Sequence, residues 1–277
     1  MTSLAHAPAD PTDLVAARYG GNLPGLLGPV NQTLELLYNH RSVRQFEPTP
    51  LDEATLTSLI AAGQSAATSS NLQTWSVVEV SDPGHKDAVA ALAGDQDFIR
   101  EAPVFLVFVA DWSRNRLIAE HRGEPTEGVE FIDSTLVSVV DAALAAQNTV
   151  IAAESLGLGT VYVGAVRNHV EELSELLELP DGAFPVVGLA IGRPRPDAAG
   201  SIKPRLPQSV VRHRERYAVP GTEALAEYDA TLQAYYQAEG EPRGWIDAVV
   251  QRVRSRLSLH GRDRIRGVLE RRGLPSR

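Results

Sequence analysis

The sequence has no cysteine, which excludes disulfides, thiolate catalysis and Cys-ligated metals. Lysine is nearly missing: only Lys86 and Lys203 occur, so arginine carries almost all the positive charge. The seven histidines (6, 40, 85, 121, 169, 213 and 260) are scattered, with no His-x3-His or HExxH spacing. A His-built metal site is therefore not expected. No apolar run approaches the roughly 18 residues of a membrane span, and no basic segment leads into an apolar one at the start. These absences predict a soluble, unexported, cytoplasmic protein. A P-loop and a GxGxxG are also missing; Gly157-Leu158-Gly159 lacks the third glycine and a preceding strand.

What is present is 277 residues, 43% hydrophobic, enough for one large core or a core plus an appendage. The net charge of −9 is unevenly spread. Residues 243–277 hold ten Arg against Asp247, Asp263 and Glu270, so they carry +7 and the rest −16. An Arg-rich tail admits a nucleic-acid-binding reading, but the chain is acidic overall and shows no recognised nucleic-acid motif.

Residues 1–30, rich in Ala, Pro and Gly, read as an arm with little core content and no evident role. Asn31 caps a helix to about His40, and Asp52 caps a second with Leu56, Leu59 and Ile60 on one face. Strands are expected at 75–80, 103–110, 158–165 and 184–192, with the continuous apolar run from Pro103 to Ala110 buried on both faces. Residues 85–94 read as a helix and 111–129 as a polar surface connection. The longest helical pattern, about 131–156, is apolar or small almost all round, which suits a domain centre or a subunit interface. A helix with Leu173, Leu176 and Leu177 runs to Pro180, and helical patterns return at about 222–239, 244–258 and 261–271.

Two basic knots draw attention. Arg41 and Arg44 lie within His40-Arg41-Ser42-Val43-Arg44, and Lys203 and Arg205 lie within Lys203-Pro204-Arg205. The first alone could merely be a basic helix end that complements the macrodipole. If the two converge, they suit a phosphate. Between them lie a polar loop at 68–73, Gln96 and a strand ending Tyr162-Val163-Gly164-Ala165. From chemistry alone this is a site for a phosphorylated heteroaromatic ligand.

Several motifs in register resemble the nitroreductase family. They are His40-Arg41-Ser42-Val43-Arg44, Gln147-Asn148 with the segment Ala152 to Gly159, Tyr162-Val163-Gly164, and Lys203-Pro204-Arg205-Leu206-Pro207. The match is to its NADPH-dependent, oxygen-insensitive nitroreductase/flavin reductase group and covers about residues 31–275. The resemblance implies an α+β fold: a mixed, largely antiparallel central sheet flanked by helices, in an intertwined homodimer with FMN at the interface. It implies a core over 31–220, a helical Arg-rich extension over 221–277, and a C-terminal segment that wraps the partner and completes its sheet. Carried onto this chain, His40, Arg41 and Ser42 hold the FMN phosphate with Lys203 and Arg205, and Arg44 reaches the N1/O2 edge. Thr68, Gln73 and Gln96 contact FMN across the dimer, Ser70 faces substrate, and Tyr162, Val163, Gly164 and Ala165 border N5. Arg243 and Arg256, the latter sharing a helix face with Arg252, are candidates for the NADPH 2′-phosphate, although Glu239-Gly240 stands where the group has Arg-Gly. The implied activity is FMN-dependent, ping-pong reduction of nitroaromatics, quinones or free flavins by NAD(P)H, without membrane or nucleic-acid partner and with no metal. The alternative is a family relative specialised for another acceptor.

Overall fold

Every residue from Val104 to Asp111 is buried, and the reason is that this strand has a core on each face. In the computed structural model, which describes residues 10–198 and 200–277, its side chains alternate between the two cores. Val104, Leu106, Phe108 and Ala110 join one, and Phe105, Val107 and Val109 join the other. A strand buried on both faces gains by being apolar at every position.

In chain order the helices are α1 (Pro11–Arg18), α2 (Gln32–Tyr38), α3 (Glu53–Gln64), α4 (Pro83–Leu92), α5 (Asp97–Glu101), α6 (Ser113–Arg122), α7 (Ile132–Ser155), α8 (Val170–Leu176), α9 (Gln208–Val211), α10 (Thr222–Ala238), α11 (Trp245–Val253) and α12 (Ile265–Arg271). The strands are β1 (Trp75–Val80), β2 (Val104–Asp111), β3 (Gly159–Val163) and β4 (Ala183–Gly192). The chain forms two compact units. Unit one comprises residues 10–41 and Gly200–Ser258, and unit two residues 42–198 and Leu259–Arg277.

Unit two holds the sheet, in the order β1-β2-β4-β3, with all three pairings antiparallel. The parallel element is an isolated bridge between Ser42 and Thr160. One face carries α3 and α7, and the other α4, α5 and α8. On α7, Ala142, Ala145, Ala146 and Ala153 are fully buried, and small side chains let neighbouring backbone approach. At the crossing with α3, a Cβ on Gly63 would fall 2.8 Å from Thr149 Oγ1, so glycine is required there. By length and composition α7 could cross a membrane, but its alanine face is part of the core of unit two.

Unit one is helical. Asp10 caps α1 through Thr12 N, and Leu14 and Val15 are buried. Pro11 at the first helical position costs no hydrogen bond. The segment expected to be an arm with little core content therefore contributes a helix and two core side chains. Asp229 on α10 accepts from the N–H groups of Trp245 and Ile246, capping α11, and Trp245 packs edge-on against Tyr228.

Three further expectations need correction. Residues 113–122 form α6, not a surface connection; its first turn lacks a side-chain cap and Leu117 and Ile118 are exposed, so neither capping nor periodicity announced it. The third strand stops at Val163, and Gly164–Arg167 turns as a 3-10 helix. Helix α11 ends at Val253, and Arg256 begins a separate 3-10 turn, so Arg252 and Arg256 share no helix face. The C-terminal segment, expected to complete a partner's sheet, makes contacts of its own within this chain. It packs within unit two, with Leu274 fully buried and the terminal Arg277 exchanging backbone hydrogen bonds with Glu130 and Ile132.

Candidate cofactor and substrate site

Within unit one, the two sequence-distant basic segments come together, and the residue that joins them is Arg18. Its Nη1 donates to Lys203 O at 2.9 Å, and its Nη2 to Tyr38 O at 3.0 Å and His40 O at 2.7 Å. In return, Arg205 N donates to Arg18 O at 2.8 Å. Tyr228 OH supports the second segment from α10 through Pro204 O at 3.2 Å. His40, Arg41, Lys203 and Arg205 thus all project from neighbouring backbone, with Arg41 and Arg205 exposed. A cluster of this composition, with arginine forks and a lysine, is suited to an anion such as phosphate.

A second cationic group gathers over Tyr236 of α10. Arg243 Cζ lies 3.9 Å and Lys203 Nζ 5.1 Å from the centre of the Tyr236 ring. Burial alone would raise the Tyr236 phenol, but Lys203 and Arg243 outweigh it and hold the group below its ordinary value. Arg243 also pairs with Glu241 at 3.2 Å, and Glu239 accepts from Ser201 Oγ. Arg256 is exposed.

Unit two carries the remaining candidates in two places. Val43 N donates to Thr160 O at 2.9 Å, laying residues 42–44 beside the start of β3. A Cβ on Gly159 would come within 2.7 Å of Val43, so glycine is what permits this approach. Arg44 stands over the Phe98 ring of α5, with Cζ 6.0 Å from its centre. Gln96, at the start of the same helix, donates to Ala93 O at 2.8 Å. A Cβ built on Gly94 would meet the Ala165 methyl at 3.4 Å and Gln96 Nε2 at 3.7 Å. Gln96 and Ala165 are therefore neighbours around Gly94. Tyr162 keeps 38% exposure, and its OH donates to Gln147 Oε1 on α7 at 3.3 Å. Its phenol is pushed above the ordinary value, first by burial and then by the charge of Glu154.

The loop from Thr68 to Gln73 is bound elsewhere in unit two, to α6 and α7. Ser70, Asn71 and Gln73 all have positive φ, a conformation that stores strain in non-glycine residues. Three anchors hold it. Asp141, 1% exposed in the middle of α7, accepts from Ser69 N at 3.0 Å, Thr74 N at 3.3 Å and Thr74 Oγ1 at 3.0 Å. Arg114 on α6 donates to Gln73 O and Trp75 O, both at 2.7 Å, and Asn115 Nδ2 donates to Leu72 O at 3.3 Å. Beside this loop lies a 440 Å³ cavity lined by Leu72, Gln73, Trp75, Arg114, Asn115 and Ile118, among others.

The nitroreductase family model matches residues 37–193, and that of the nitroreductase family, C-terminal domain, matches residues 203–277. The chain belongs to the nitroreductase family. It is an oxidoreductase of the kind that uses FMN with NAD(P)H, as the motif resemblance implied. It is 36% identical to the FMN reductase (NADPH) of Bacillus subtilis, over 86% of this chain and 97% of that protein. It is 39% identical to the oxygen-insensitive NADPH nitroreductase of Salmonella typhimurium, over 76% and 85%. Among solved structures, NfrA2 of B. megaterium superposes with a TM-score of 0.84 at 35% identity, covering 88% of this chain and 98% of that one.

Within this nitroreductase, four residues of the site region escaped sequence reasoning. Arg18 lay in a segment set aside as featureless, and Tyr236 in a helix read for periodicity alone. Arg114 lay in a stretch taken as a connection. Asp141 did leave a signal: it is the one acid between Asp133 and Glu154 on α7, and a lone carboxylate amid alanines needs a partner when buried.

Proposed function

We propose that this nitroreductase reduces nitroaromatics, quinones or free flavins by a ping-pong exchange in the cytoplasm, working as a homodimer. FMN, when bound, supplies the redox chemistry: it takes a hydride from the nicotinamide and passes electrons to the acceptor. The residues of this chain bind and position. His40, Arg41, Lys203 and Arg205 of unit one hold the phosphate, joined by Ser42 at the next position in the chain. In unit two, Arg44 places a cation where reduction of a flavin ring builds negative charge. Backbone groups of Tyr162, Val163, Gly164 and Ala165, with Gln96 beside Ala165, border the ring. Thr68, Ser70 and Gln73 present the strained loop to the second ring face or to substrate. Arg243, stacked on Tyr236 beside Lys203, is the candidate contact for the NADPH 2′-phosphate, with Arg256 a weaker one.

The observation that carries the phosphate assignment is the joining of residues 38–41 to 203–205 through Arg18. For the dimer, support comes from α7: Ile132, Leu136, Val140 and Leu144 recur every fourth residue and are all exposed. Four apolar side chains in one stripe form a face that a second copy would cover. Asp141 anchors backbone and Glu241 pairs with Arg243, which agrees with a reaction that asks little acid–base chemistry of the protein. The test is direct. The purified protein should be yellow, bleach anaerobically with NADPH, and recover colour when a quinone, nitroaromatic or flavin is added from a panel. A protein that stays colourless after incubation with FMN would refute the reading.

A further inference from the structure

The family model begins at residue 37. The helix that carries Arg18 lies ahead of the family's domain, yet its guanidinium occupies the centre of the cluster assigned above to phosphate. We propose that Arg18 is a positioning residue for the FMN phosphate, so that the N-terminal extension completes the cofactor site. The inference rests on the phosphate assignment made under the proposed function.

Three backbone carbonyls, of Tyr38, His40 and Lys203, converge on one guanidinium. Carbonyls brought this close repel one another, and each requires a donor when water is displaced. A planar fork answers all three at once, because its donors diverge at fixed angles from one rigid group. The reverse bond, Arg205 N to Arg18 O, ties the second basic segment to the same residue. Its hydrogen bonds to the Tyr38, His40 and Lys203 carbonyls fix the backbone from which His40, Arg41, Lys203 and Arg205 project. Leu14 and Val15, buried one helical turn earlier, anchor the helix that delivers it. The extension has a second engagement at the same place: Tyr19, Asn22 and Leu23 line a 330 Å³ cavity together with Arg205 and Tyr228.

The role has a signature that distinguishes it from general support of the fold. A group that arranges phosphate ligands affects FMN, which has the phosphate, and spares riboflavin, which lacks it. The experiment measures dissociation constants of both flavins by fluorescence quenching in the full chain, for wild type, Arg18→Ala, Arg18→Lys and Arg205→Ala. Arg18→Ala should weaken FMN about tenfold with riboflavin unchanged, and millimolar guanidinium ion should restore part of the loss. Arg18→Lys keeps the charge without the fork and should remain several-fold weaker for FMN. If Arg205→Ala loses the preference for FMN over riboflavin while both Arg18 variants keep it, the positioning role is overturned and the phosphate assignment stands. If none of the three loses the preference, the assignment itself falls. Equal weakening of both flavins by Arg18→Ala, or full recovery in Arg18→Lys, would likewise overturn positioning, in favour of a general structural role or of charge alone.

Discussion

At the scale of single residues, two carboxylates of unit two have distinct tasks around the loop from Thr68 to Gln73. Asp141 is almost wholly buried and receives three hydrogen bonds from residues 69 and 74, so it holds both ends of the strained segment. Removing it leaves the two Thr74 donors unpaired in the core. Asp141→Ala should therefore destabilise the fold by about 2–4 kcal/mol and loosen the loop. Urea unfolding and the KM for the acceptor measure the two effects, and a loss of less than about 0.5 kcal/mol would show that water replaces the carboxylate. Asp111, at the end of β2, differs. Burial pushes its pKa up, but hydrogen bonds from Ser113 and Ser76 and the Arg114 charge prevail and hold it below the usual value. A depressed native pKa contributes stability above the unfolded value of about 3.9. That stability is lost as pH falls from there through the lower native pKa. Asp111→Asn should thus be less stable than wild type at pH 7, and the gap should close under acid. Chemical unfolding between pH 7 and pH 3 tests this, and a gap independent of pH would assign the effect to packing.

At the scale of elements, α7 does two things with one sequence. Its alanines are core, and Ile132, Leu136, Val140 and Leu144 form the exposed stripe. A charge at Val140 tests the stripe alone, because the residue is 54% exposed, whereas Ala146 is fully buried and a substitution there would test the core. Val140→Asp should shift the protein toward monomer in size-exclusion chromatography with light scattering, and flavin content should fall with it. An unchanged dimer would place the interface elsewhere. The core role of α7 was readable in its small, apolar residues, as was β2 in its continuous run and the capping of α2 and α3 at Asn31 and Asp52. What stayed illegible has a common physical character. Helix α6 has no capping side chain and an exposed apolar pair, so its register depends on tertiary contacts such as Arg114 with the Gln73 and Trp75 carbonyls. The end of α11 at Val253 follows from no glycine or proline. The motifs at 40–44 and 203–205 were legible as chemistry, but what joins them is a guanidinium on backbone carbonyls, and carbonyls carry no sequence signal.

At the scale of the whole chain, the question is where the positive tail directs its charge. Several of its arginines are engaged with the chain itself. Arg271 grips Glu171 at 2.7 and 2.8 Å, Arg277 pairs with Glu130 at 3.0 Å, and Arg272 donates to the carbonyls of Leu179, Pro180 and Ala183. Arg262 donates to Asn168. These four arginines are thus engaged with acids, an amide and carbonyls of unit two. Under the proposed function the nicotinamide donor is read in unit one, at Arg243. Arg243 is exposed, lies over Tyr236 and has Lys203 on the same ring, so a 2′-phosphate would meet two cations there. Against this stand Glu241, which already pairs with Arg243, and Glu239 close by in sequence. An exposed pair of this kind contributes about 0.2–1 kcal/mol and yields readily to a doubly charged phosphate. The expected result is a moderate preference, with kcat/KM about tenfold higher for NADPH than for NADH, a difference of about 1.4 kcal/mol. Arg243→Ala should remove most of that ratio by lowering the NADPH value alone, and Glu241→Gln should raise it. Arg256→Ala, on its separate turn, should change the ratio least. Wild-type efficiency equal for the two donors, or an Arg243→Ala variant that loses both in proportion, would mean that this cationic group does not read the 2′-phosphate.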